Sequence, residues 1–78
     1  MTDSSEIAAL QASYRGALAT ADALQAVSSK VEALGPHADI AAEDLEELAR
    51  VTAAHTIASA ALRGLVVTML ARRRVAAH

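Results

Sequence analysis

The chain has 78 residues, a formal net charge of −2 and no cysteine, which excludes a disulfide scaffold and any cysteine-based zinc or iron–sulfur centre. Hydrophobic residues make up 54% of it, but half of those are alanine, and Tyr14 is the single aromatic residue. A base-stacking platform for single strands needs several aromatics, and the larger apolar side chains that remain make only a thin core for one domain spanning 1–78.

Alanine, leucine, glutamate and arginine dominate, and all are strong helix formers. The expected fold is all-α. Six arginines against one lysine, together with the alanine, suit a GC-rich bacterial coding sequence. The acidic, polar start MTDSSE lacks the basic region of a signal peptide, so a cytoplasmic location is expected.

The first helix is expected over about residues 4–34. Asp3, Ser4 or Ser5 serves as its N-cap, and Glu6 sits favourably in the first turn. Ile7, Leu10, Tyr14, Leu18, Ala21, Leu24, Ser28 and Val31 recur at three- and four-residue steps and form its apolar face. A second track, Ala9, Ala12, Gly16, Ala19, Ala23 and Ala26, is uniformly small and would let another helix backbone approach closely. Gly35-Pro36 ends the helix near Leu34, because proline disfavours the helical state before it and glycine accepts a left-handed cap.

Residues 35–41 read as a loop, and a second helix is expected over about 42–76. Ala41 is preferred to Asp39 as its cap, with Ile40 stapling onto Leu45 and with Glu43 and Asp44 favouring the helix dipole. Leu45 and Leu48 point inward, and Glu46 and Arg50 are spaced for an i,i+4 pair. Further along, IASAALRGLVVTMLA over 57–71 holds a single charge, Arg63. A helix apolar on all sides must be surrounded by protein or lipid, and one partner helix cannot surround it.

Two long helices and a short loop make an antiparallel hairpin. Self-association, most simply into a dimeric four-helix bundle, is the expected way to cover the surplus apolar surface. The expected interface residues are Leu10, Tyr14, Gly16, Leu24, His55, Ile57, Leu62, Leu65, Val66 and Met69.

Charge is segregated along the chain. Residues 1–47 hold all nine acids and two bases, and 48–78 hold five bases and no acid. Helix dipoles account for much of this, since acids favour a helix start and bases its end. The run Arg72-Arg73-Arg74 is a possible contact for an anionic surface. Three bases and a negative total argue against nucleic acid as a partner, and Arg63 is expected to leave the apolar run too short to span a bilayer.

His55 lies on the inward track Leu48, Val51 or Thr52, His55, Ala58 or Ser59, and Leu62. Its expected role is a satisfied interface histidine bonded to Ser59 or Thr52. The sharper alternative is a pH-sensitive meeting of two copies of His55 across a two-fold axis. The acids Glu43, Asp44, Glu46 and Glu47, with His37 nearby, lack the spacing of a calcium loop. No nucleophile elbow or phosphate-cradling loop occurs. No cofactor or enzymatic activity is therefore expected. In outline the hairpin is similar to small type VII secreted hairpins, but Leu34-Gly35-Pro36-His37 stands where those carry Trp-x-Gly, so the likeness covers architecture alone. The expected function is that of a structural or adaptor protein, a small subunit of a larger bacterial or phage assembly. The alternative is a peripheral membrane or regulatory protein using 57–71 and Arg72–Arg74.

Overall fold

A computed structural model describes residues 3–77. Within them the chain forms two helices, α1 (Ser4–Glu32) and α2 (Ala42–Ala76), packed against each other as a hairpin of 60 × 21 × 16 Å. The Asp3 carboxylate caps α1 by accepting from the Glu6 backbone N–H at 2.8 Å. Ala41 is the N-cap of α2, and its side chain offers no capping bond. Its first-turn acids Glu43 and Asp44 are the stabilising feature there.

The end of α1 departs from expectation in two respects. It stops at Glu32, because the Leu34 N–H turns to the Val31 carbonyl at 3.1 Å and tightens the last turn. No glycine among the described residues has positive φ. The exit runs through Ala33 in the right-handed region, so Gly35 contributes to the turn without forming a left-handed cap.

The seam between the helices has a strict three–four alternation. On α1 it comprises Glu6, Leu10, Ser13, Ala17, Thr20, Leu24, Val27 and Val31; on α2 it comprises Asp44, Leu48, Val51, His55, Ala58, Leu62, Leu65 and Met69. That is the heptad spacing of two helices wound around each other. Val27 alone is fully buried, at 1% exposure. The apolar face expected on α1 is therefore corrected. Tyr14 (55% exposed), Leu18 (47%) and Ile7 (45%) stand outside the seam, and Ser13, Ala17 and Thr20 occupy it. The register follows α2, whose seam residues keep a 3.5-residue period that Tyr14 and Leu18 do not match. Leu45, expected inward, is likewise exposed.

Three contacts fix the level of one helix against the other. Arg72 pairs with Glu6 at the open end, Thr20 meets His55 midway, and Lys30 pairs with Glu47 at 3.7 Å near the loop.

Candidate functional site

The two edges of the seam differ in kind. Residues just after Glu6, Ser13 and Thr20 on α1 and just after Asp44, Val51, Ala58 and Leu65 on α2 border one edge, by the geometry of antiparallel heptads. They include Ile7, Tyr14, Leu45 and Val66, with Leu18 and Leu70 beside them, all exposed. Near the open end this edge holds a shallow groove of about 180 Å³ lined by Leu10, Val66, Met69, Leu70 and Arg73.

The opposite edge carries Ala9, Gly16 and Ala23 from α1 and Ala54, Ala61 and Thr68 from α2, and the Lys30–Glu47 pair lies along it. Its small residues are exposed. A Cβ built on Gly16 or Gly64 meets nothing within 4 Å. Within one chain, the small track of α1 therefore lies against open space. A second groove, about 400 Å³, opens beside the end of α2 between Thr68, Ala71, Arg72, Val75 and Ala76.

Helix α2 shows its apolar character most fully on the outside. Ile57 is 70% exposed, and Val67 and Val75 are also open. The hydroxyls of Thr52, Thr56 and Thr68 donate to the carbonyls of Leu48, Thr52 and Gly64, four residues back. With its hydroxyl satisfied within the helix, each threonine offers the surface one free polar group fewer than its composition suggests. An 18-residue window of α2 reaches a mean hydropathy of 1.4 with none of it buried, enough by length and composition to cross a membrane. This corrects the expectation that Arg63 leaves the run too short: Ile57, Leu62, Leu65, Val66 and Val67 offset one arginine.

His55 is half-buried in the seam. Its Nδ1 lies 2.8 Å from the Thr20 hydroxyl and its Nε2 lies 3.3 Å from the Ser59 hydroxyl. The Thr20 hydroxyl also lies 3.0 Å from the Ala17 carbonyl and 3.2 Å from that of Gly16, so it can donate there and accept from His55. Ser59 is one of the two expected partners. Thr52 is not, because its hydroxyl is turned to Leu48. With both ring nitrogens engaged inside one chain, the meeting of two His55 rings across an axis loses its motivation.

Of the other residues expected at an interface, Leu10, Leu24, Leu62, Leu65 and Met69 lie half-buried in the hairpin's own seam, whereas Tyr14, Gly16, Ile57 and Val66 face outward. Glu46 makes no ion pair with Arg50 at contact distance; the loop-end pair is Lys30–Glu47. Among the described residues no three histidine, aspartate or glutamate side chains converge to hold a metal ion. Arg72, with Glu6, ties the two chain ends together, and Arg73 and Arg74 continue the basic end of α2. Compared with protein family models, curated proteins and solved structures, the chain shows no significant match.

Proposed function

We propose that this protein is a non-enzymatic structural or adaptor protein that works by associating with itself and with another protein, as a small subunit of a larger assembly. One observation carries the reading: among the described residues the hairpin buries a single side chain completely, while ten large apolar side chains stay at least 38% exposed. Six of the ten (Ile7, Tyr14, Leu18, Leu45, Val66 and Leu70) line one edge of the seam, and exposed apolar surface gathered on one side is the mark of an interaction site. Association also supplies the stability that a thin core lacks. The expected setting is the cytoplasm of a bacterium.

Native mass spectrometry of the protein purified from its host tests this directly. The expected spectrum contains two or more copies, alone or with a co-purifying protein. A single chain under all gentle conditions would overturn the proposal.

A second reading draws on the unburied apolar window of α2 and the arginines that follow it. A helix of this kind lies on or in an anionic lipid surface. Co-sedimentation with anionic vesicles that disappears in an Arg72/Arg73/Arg74→Ala variant would favour it over the first.

A further inference from the structure

The seam contacts divide the molecule into two halves of opposite charge. Thr20 and His55 mark the middle. The loop half, residues 21–54, carries seven acids (Asp22, Glu32, Asp39, Glu43, Asp44, Glu46, Glu47) and two bases (Lys30, Arg50), a net of −5. The open half, residues 3–20 and 55–77, carries Asp3 and Glu6 against Arg15, Arg63, Arg72, Arg73 and Arg74, a net of +3. The hairpin is thus a rod 60 Å long with an acidic loop end and a basic open end.

We propose that the apolar edge formed by Ile7, Tyr14, Leu18, Leu45, Val66 and Leu70 is covered by a second copy of this chain lying antiparallel, loop end against open end. The proposal rests on the self-association proposed above and specifies its geometry. A parallel pair would set two acidic ends side by side and two basic ends side by side, which like-charge repulsion disfavours. The antiparallel pair sets −5 against +3 at both ends.

The apolar side chains agree with this arrangement. Ile7 and Leu70 stand at one end of the edge and Leu45 at the other, by the level that Glu6–Arg72 and Lys30–Glu47 establish. Reversing one copy brings its Leu45 beside Ile7 and Leu70 of the other, and the two Leu18 side chains meet near the axis. The broad face of the hairpin that carries this edge, 60 × 21 Å in outline, is roughly 1,200 Å², which leaves room for the about 800 Å² per partner that a stable interface buries.

Pulsed dipolar spectroscopy on a nitroxide at Ala38→Cys decides the matter, since the natural chain has no competing cysteine. Ala38 lies in the exposed loop. The antiparallel pair separates the two labels by about the hairpin length, 60 Å. A parallel pair, with helix axes about 10 Å apart, places them within roughly 30 Å. A second label at Ala60→Cys, near the middle and exposed, gives a short distance in either arrangement. Long at 38 and short at 60 is the expected result. Short at both overturns the antiparallel arrangement and leaves self-association standing. No dipolar signal at either site overturns both. Loss of both distances on adding anionic vesicles assigns the edge to lipid and overturns the inference.

Discussion

The inner seam of this hairpin and its outer edge invert the usual order of side chains. The middle of the seam holds Ser13, Ala17, Thr20, His55 and Ala58, all small or polar, while Tyr14, Leu18, Ile57, Val67 and Leu70 stand outside. At its middle the hairpin keeps small and polar residues within and larger apolar ones without, so its own packing leaves apolar surface uncovered. Its seam sets the spacing of two helices, through the Thr20–His55–Ser59 bonds and the leucines and valines to either side. Its outer surface leaves Tyr14, Leu18, Ile57 and Val67 uncovered. The seam gives the hairpin its shape; the outer edge carries the proposed self-association.

Substitutions on the two sides of this divide are expected to separate. Leu65→Asp places a charge in the seam and is expected to cost roughly 3 kcal/mol or more, visible as loss of helicity by circular dichroism at any concentration. If Leu65→Asp leaves the helical signal intact, the seam is not what holds the hairpin. Val27→Ala removes two methyl groups from the one fully buried site, and a loss of about 1.5–3 kcal/mol is expected in urea unfolding.

On the outer edge the effect shifts from folding to association. Leu18→Glu, near the proposed axis, is expected to weaken self-association at least tenfold, about 1.4 kcal/mol, while the helical spectrum of the associated protein is retained. Equal association of the variant and the natural chain would place the contact elsewhere. The smallest change is expected at Gly16, where a Cβ meets open space. Gly16→Ala should stabilise the helix by roughly 0.5–1 kcal/mol, read as a higher melting temperature. A lower one would show the small edge packed tightly against another backbone.

The helical hairpin is legible in the sequence because its signals are local. Asp3 with Glu6 starts one helix, Gly35-Pro36 interrupts the chain, and Glu43-Asp44 opens the next. The inward track of α2 from Leu48 to Leu62 is legible in part, since Leu48, His55 and Leu62 are regularly spaced, but the choices between Val51 and Thr52 and between Ala58 and Ser59 fall to the partner helix. The seam of α1 is not. Size alone favours Tyr14 and Leu18, and the seam instead takes Ser13, Ala17 and Thr20, with Val27 at its tightest point. In an alanine-rich helix several three–four tracks coexist, and only the partner helix selects among them. His55 shows the same limit: Ser59 lies four residues on and could be named, but Thr20 lies 35 residues back and is supplied only by folding. The apolar outer surface of α2 was legible as a composition, and the turning of its threonine hydroxyls onto the backbone was not.

On the proposal above, another copy of the chain covers the hairpin's exposed apolar edge. Sedimentation equilibrium of the unlabelled natural protein at micromolar concentration tests it most directly. A mass of twice the 8.0 kDa chain or a higher multiple, falling toward that of one chain on dilution, is the expected result. A stable, fully helical species of 8.0 kDa across the same range would contradict it.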